Sequence, residues 1–349
     1  MPSEKMQNQP NDTGTLLADL RVQMRQLMRK GGDWEAFALK VFRFQCVHNP
    51  VYGEFIRLRG VDPKAVTSTS EVLYLPVPFF QSHWVSVFDE GAPMDRIFES
   101  SGTTGQRRSR HPVDDLGWYD EVAAAGFEHC LGAFAGRKIA ALLPGYRPES
   151  SLIHMVRSFM QRCGQQDRSE WFFMEDWVAL EQKLSTTVEE GQNVLVIGVT
   201  HALLNWATQA EMEEPLDCVQ LLETGGMKGH GPERIREEVH AALRPLVTTP
   251  DIGSEYGMTE LLSQAWSAGQ GRFVTPPWMI VRIAAMNDPG AWAPHGKQGR
   301  IRIMDLANLA SCAFVETSDI GLTHPDGTFE ILGRFDHAEV RGCNLLTVD

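Results

Sequence analysis

Three short apolar runs constrain this chain more than any other feature. They are "KIAALLP" (Lys138–Pro144), "NVLVIGVT" (Asn193–Thr200) and "CVQLLETGG" (Cys218–Gly226). Each is short, aliphatic and closed by Pro, Thr or Gly, as buried strands are. Between them "SLIHMVRSFMQRC" and "WVALEQKLSTTV" return an apolar residue every three or four positions and read as helices. Continuously apolar strands that alternate with helices specify a parallel sheet covered on both faces. After Gly271 the texture changes. "WMIVRIAAM", "GRIRIMDL" and "TFEILGRF" are short runs split by turns such as Asp326–Gly327, so an antiparallel sheet or small barrel is expected to pack on the α/β part.

Towards the N-terminus the spacing predicts a helix from about Asp12 to Arg29. Leu16, Leu20, Met24 and Leu27 share its inner face, Asp12 or Thr13 caps it and Gly31–Gly32 stop it. A second helix starts after Asp33 and is expected to bury Trp34, Phe37, Ala38 and Val41. "VLYLPVPFF" holds two prolines in an apolar run and predicts an extended, tightly packed crossing. Residues 1–13 carry no apolar run and are expected to be a disordered lead-in, neither a signal peptide nor a membrane anchor, and no membrane span is expected. The expected layout is one large domain over 14–333, α/β to about 270 and β-rich over 271–333, followed by a short hinge-like tail over 334–349. A net charge of -13 argues against a general nucleic-acid binder, which needs a basic face. The six cysteines form no C-x-x-C pair and no H-E-x-x-H is present, so zinc has no support. The expected state is that of reduced thiols in a cytoplasmic protein.

The stretch "FESSGTTGQRRSRH" (Phe98–His111) sets hydroxyls and glycines ahead of three arginines. Gly102 and Gly105 let successive N–H groups converge on one anion. Ser100, Ser101, Thr103 and Thr104 add hydroxyl donors, and Arg107 or Arg108 offsets charge. Alone, the stretch reads either as a phosphate cradle or as a polar surface turn. It is not a Walker loop, since G-x-x-x-x-G-K-[ST] is absent, and this removes a P-loop kinase or ATPase.

Three motifs follow it in order: "SEYGMTE" (Ser254–Glu260), "TSDIG" (Thr317–Gly321) and "GRFDHAEVRG" (Gly333–Gly342). With "SSGTTG" they resemble the motif set of the adenylate-forming superfamily of acyl-CoA synthetases, adenylation domains and luciferases. "YLPVPFFQSHWV", "LLPGYRPESSLIHMV", "LLETGGMKG" and "EVRGCNL" bring the likeness closer to the acyl-protein synthetases of the bacterial-bioluminescence (LuxE-like) type, over about Trp34 to the end. The resemblance implies an α/β fold of the adenylate-forming large N-terminal domain, parallel sheets plus a small antiparallel β-subdomain. It also implies ATP and Mg²⁺. The Ser100–Gly105 loop would hold the β- and γ-phosphates, and Gly225 and Gly226 would lie against the adenine. Tyr256 would stack on that ring with Gly257 beside it, Thr259 would contact the α-phosphate and Glu260 would bind Mg²⁺. Asp319 would take the ribose hydroxyls, with Arg334 nearby. Each residue has a plainer reading too: core packing for Tyr256, a helix-start charge for Glu260, turns for Asp319 and for Gly225–Gly226.

The chain also departs from the superfamily. It ends sixteen residues after Gly333, which leaves no room for the usual full C-terminal domain and its lysine, and Gln106-Arg107-Arg108 replaces the usual lysine after the loop. Lys228 is then the internal cation for the α-phosphate or carboxylate, or else a surface lysine. In the acyl-protein synthetases a cysteine near the C-terminus receives the acyl group as a thioester, which implicates Cys343, beside Arg341, as acceptor; an incidental cysteine is the alternative. His201 and His154 are candidates for the border of the carboxylate pocket or for bonded core histidines, and His111 is expected to be solvated. The resemblance implies a carboxylic acid substrate, a fatty acid in the first instance, and an acyl-accepting reductase or carrier protein as partner. Direct loading of CoA or a carrier, and a nucleotide-binding protein without catalysis, stand as rivals.

Overall fold

A computed structural model describes residues 10–101, 107–144, 147–210, 212, 214–225, 235–288 and 290–335. In chain order its helices are α1 (Pro10–Lys30), α2 (Trp34–His48), α3 (Pro50–Leu58), α4 (Phe79–Ser82), α5 (Leu116–Leu131), α6 (Ser151–Arg162), α7 (Trp177–Glu189), α8 (Thr200–Gln209) and α9 (Arg236–Leu243). The strands are β1 (Leu75–Pro76), β2 (Arg96–Glu99), β3 (Arg110–Val113), β4 (Arg137–Leu142), β5 (Asn193–Gly198), β6 (Val219–Glu223), β7 (Gly253–Tyr256), β8 (Ala265–Ser267), β9 (Met279–Ala285), β10 (Gly299–Asp305), β11 (Phe314–Thr323) and β12 (Phe329–Arg334).

The three diagnostic runs form β4, β5 and β6. They pair in parallel, Ile139 with Leu195 and Val196 with Leu221, and β7 extends the sheet in parallel before β8 closes it antiparallel. Ile139–Leu142 and Val194–Ile197 are all buried, the burial of strands covered on both faces. α6 packs on β4, α7 on β5 and α5 on β8. An aromatic knot holds α5 and α6 to the edge strand: Phe127 stacks on Phe134 at 4.6 Å and meets Trp266 edge-on at 5.3 Å. Such pairs add about 0.5–1.5 kcal/mol beyond their burial.

The second sheet runs in the order β1-β11-β10-β9, with β12 pairing β11. Its long strands are antiparallel, and it is an open sheet. The double-proline run does cross in extended form. It contributes only the two-residue β1, parallel to β11 at Val315 and Glu316, because proline supplies no N–H to a ladder, and it then closes into the short α4. The α/β class with a small antiparallel β-subdomain is therefore the observed one.

One detail of α1 differs from the spacing argument. Leu17, Leu20 and Met24 are buried, whereas Leu16 is 37% exposed. Leu16 and Leu17 lie about 100° apart on the wheel, and Leu17 keeps the i, i+3, i+7 stripe. α2 starts after Asp33 as expected, and Asp33 proves to be its cap, accepting from Ala36 N at 2.9 Å; Phe37, Ala38 and Val41 are buried while Trp34 is half-buried. Among the described residues no helix is long and apolar enough to cross a membrane.

Candidate active site

Parallel strands end together. The C-terminal ends of β4, β5 and β6 open on one edge of the sheet, and the segments leaving that edge carry His201, Gly225 and, after β7, Gly257 to Glu260. This is the edge at which open α/β sheets bind ligands. Gly225 takes φ +73, a left-handed conformation that favours glycine. Its N–H donates at 2.7 Å to Glu223 Oε2, which also accepts from the Thr200 hydroxyl at 3.1 Å. The buried Glu223 thus joins the Gly225 turn to the first turn of α8, where His201 lies.

Gly257 follows Tyr256 where β7 gives way to the connection to β8. A Cβ there would meet the Glu255 carboxylate, the end of a flexible side chain that could move aside, and approach Gln264 Cγ. Tyr256 is buried, edge-on to Phe273 at 6.1 Å and Phe329 at 5.8 Å, and its hydroxyl donates to Asp319 Oδ2 at 2.7 Å. Asp319 pairs with Arg334 across β11 and β12, and Arg334 Nε stands 3.4 Å from Asp319 Oδ1. Three residues from three motifs therefore meet where the two sheets join.

Glu260 reaches the same place from the other side. It is 4% exposed, and burial pushes its carboxyl above the usual range. The Ser109 hydroxyl and the Arg334 charge oppose that shift, while Asp319 reinforces it. Burial likewise raises Asp319, against the Tyr256 hydrogen bond and Arg334. Two buried carboxyl groups under one field are costly unless a cation joins them.

Ser109 belongs to the hairpin of the serine–glycine stretch. β2 and β3 are its two arms, and Ser100 and Ser109 close it: Ser100 N donates to Ser109 O at 3.1 Å, and Ser109 N donates to Ser100 Oγ at 3.0 Å. The stem of the loop thus carries the hydroxyl that binds Glu260. Ser101 is exposed at the end of β2. Gly102, Thr103, Thr104 and Gly105 lie outside the described residues, as do Gly226, Lys228 and Cys343 with its neighbour Arg341. Arg107 is exposed, and Arg108 is engaged with Glu99 at 3.3 Å.

Two histidines are placed inside. His111 is not solvated: it is 1% exposed, with Nδ1 at 2.6 Å from Thr259 O and Nε2 at 3.3 Å from Asn308 Oδ1. His111, Pro112 and Val113 are all buried, so the end of β3 is covered on both faces and the ring lies in the interior. Burial pushes its pKa down to about 4. His154 is half-buried on α6, bonded to Asp120 Oδ1 at 2.9 Å and packed against Phe98 and Tyr119.

Sequence reasoning missed the residues that brace the turn after β7. Asp305 is fully buried and accepts from Leu262 N at 2.7 Å, Ser263 N at 2.8 Å and the Ser263 hydroxyl at 2.6 Å. Asn308 Nδ2 donates to Glu260 O at 2.8 Å and to Cys312 O at 3.1 Å. Among the described residues no group of three His, Cys, Asp or Glu is arranged to hold a metal by itself.

No protein-family model matches the sequence, and no curated protein is similar to it. Solved structures do match. An open conformation of 2-hydroxyisobutyryl-CoA ligase, in complex with 2-HIB-AMP and CoA, aligns with a TM-score of 0.65 at 15% identity, over 87% of this chain and 70% of that one. The same ligase in the postadenylation state with R3-HIB-AMP gives 0.63 at 13% identity, over 86% and 68%. ATP-bound MatB from Rhodopseudomonas palustris gives 0.50 at 16% identity, over 71% of this chain and 49% of MatB, so the chain spans about half the length of that enzyme. At these identities the likeness is one of fold: the chain is built as these ligases are.

Proposed function

We propose that this chain is an ATP-dependent, acyl-adenylate-forming ligase of the acyl-protein synthetase (LuxE-like) kind. It activates a carboxylic acid, a fatty acid in the first instance, and passes the acyl group to a thiol, Cys343 or one on a reductase or carrier partner. The observation that carries the reading is the meeting of three sequence-distant motifs: the loop stem bonds Glu260 through Ser109, and Tyr256, Asp319 and Arg334 close the same place.

The chemistry follows from the residue types. A carboxylate oxygen attacks the α-phosphorus of ATP, the bond to the bridging oxygen breaks and pyrophosphate leaves with its electron pair. The thiol, having lost its proton to solvent, then attacks the acyl carbonyl and AMP leaves. Anionic partners must be brought together in the first step, so positioning and charge neutralisation dominate. In this reading the 102–105 glycines, with Ser100, Ser101, Thr103 and Thr104, cradle the β- and γ-phosphates. Thr259 meets the α-phosphate and Lys228 the α-phosphate or the carboxylate. Asp319 accepts from the ribose hydroxyls beside Arg334. Gly225, Gly226, Tyr256 and Gly257 frame the adenine, and His201 with Gly226 borders the acid.

Glu260 fits Mg²⁺, an ion held by one or two carboxylates together with substrate phosphates, because it is a buried carboxylate set beside the Ser109 hydroxyl and, among the described residues, without a salt bridge of its own. When bound, the ion neutralises phosphate charge. Among the described cysteines Cys218 is exposed and four others are set back by burial, so the choice of Cys343 over Cys218 rests on the resemblance. Burial pushes Cys46, Cys130 and Cys312 up to about 12 and Cys163 to about 11, which keeps these thiols protonated and poor nucleophiles.

The test is exchange of labelled pyrophosphate into ATP, screened over fatty and aromatic acids. Exchange that depends on an added acid is the expected result. ATP binding without exchange for any acid would replace the ligase with a nucleotide-binding regulatory protein.

A further inference from the structure

The turn that bears Thr259 and Glu260 is gripped by buried polar side chains that the proposed chemistry does not use. His111 stands on β3, the arm that follows the 102–106 loop, two residues after Ser109. The pair faces the same way: Ser109 holds the Glu260 carboxylate, and His111 Nδ1 lies 2.6 Å from the carbonyl of Thr259. A carbonyl only accepts, so at this distance the proton of the neutral ring is on Nδ1. On its other side Nε2, the acceptor of this tautomer, faces Asn308 Oδ1 at 3.3 Å, a contact between two acceptors and not a hydrogen bond. The Asn308 amide is oriented by two carbonyls, Glu260 O at 2.8 Å and Cys312 O at 3.1 Å, which both require its nitrogen. Asn308 is itself fixed: its own carbonyl accepts from Gln45 Nε2 at 2.9 Å, and its N–H donates to Asp305 O at 2.9 Å.

The carbonyls of Thr259 and Glu260 are thus held by two different segments, one by the hairpin and one by the loop between β10 and β11. A surface turn would leave such carbonyls to water. Burying a histidine and an asparagine for this purpose is costly unless the geometry is needed.

We propose that His111 and Asn308 are positioning residues that lock the Thr259–Glu260 turn to β3 and to the loop between β10 and β11, so that Thr259 and Glu260 meet a bound polyphosphate in one fixed geometry. The role in catalysis rests on the adenylating reading above; the clamp itself does not.

His111→Phe keeps the ring volume beside Phe80 and removes the donor, whereas His111→Asn places an amide N–H where Nδ1 stood. The expected result for the Phe variant is a fall of about 10–100-fold in kcat for acid-dependent pyrophosphate exchange, the scale of a misplaced catalytic group, with the KM for ATP within about threefold of the parent. The Asn variant restores most of the rate. Hydrogen–deuterium exchange gives the independent arm: in the Phe variant the amides of 256–263 exchange about tenfold faster or more, while β4, β5 and β6 keep their protection. Unchanged protection over 256–263, or an Asn variant no better than Phe in both measurements, overturns the proposal. If the parent shows no pyrophosphate exchange with any acid, the ligase reading fails and the deuterium measurement alone decides the clamp.

Discussion

Glu260→Ala lowers acid-dependent pyrophosphate exchange by about 10²–10³-fold, the usual cost of removing one electrostatic contact made in the transition state. The reason lies in the placement. The carboxyl is buried, its bonded side-chain partner is the Ser109 hydroxyl on the loop stem, and Arg334 and Asp319 both act on it. Burial raises its pKa, so the native state favours the protonated form and the ionised form is held at a cost. The sign of the pH dependence follows. A carboxyl raised on folding gives its full stability below the unfolded pKa, and that stability is lost as pH rises through the folded pKa. Glu260→Gln removes this loss. Without ligand it melts above the parent at pH 7 and together with it at a pH below the ordinary carboxylate range, as thermal unfolding at the two pH values will show. Unchanged exchange in the Ala variant would take Glu260 out of the mechanism.

On the proposed function, the expected result is an acyl adduct on the parent by intact-mass analysis after incubation with ATP and acid, absent in Cys343→Ser, with pyrophosphate exchange within about twofold of the parent. The two steps separate because adenylation makes the mixed anhydride without any thiol, and only the second step needs a nucleophile. A free thiol has a pKa of about 8.5, so a neighbouring cation that favours the thiolate speeds attack, and Arg341 supplies one in sequence. The four thiols that burial holds protonated do not compete. An adduct that survives in Cys343→Ser would assign the acyl group elsewhere. Retained carrier loading in Cys343→Ser, with no adduct on either protein, would favour direct transfer to a carrier.

What the sequence made legible was what repeats locally. β4, β5 and β6 announce themselves because strands covered on both faces must be apolar throughout, and "GRIRIMDL" does so because Ile301 and Ile303 alternate with Arg300 and Arg302. That Tyr256, Asp319 and Arg334 lie near one another was implied by the family resemblance their motifs carry, not by periodicity or spacing. His111 was misread because it follows a polar run, and the burial of three successive residues, His111, Pro112 and Val113, carries no period to read. Leu16 and Leu17 are both apolar, and only packing chooses between them. Asn308, Asp305 and Glu223 gave no signal. A polar residue in a loop looks solvated until a partner far along the chain is known, and Gln45 meets Asn308 across 263 positions. Buried polar networks are long-range objects, invisible to periodicity.

A crystal structure with a non-hydrolysable acyl-adenylate analogue asks the central question most directly, whether one nucleotide joins these segments. The account predicts the ribose on Asp319, the base beside Tyr256 and Gly225, and the phosphate-mimicking group between Thr259 and the 102–106 loop. A nucleotide bound elsewhere, or one that leaves Asp319 and Glu260 untouched, would contradict it.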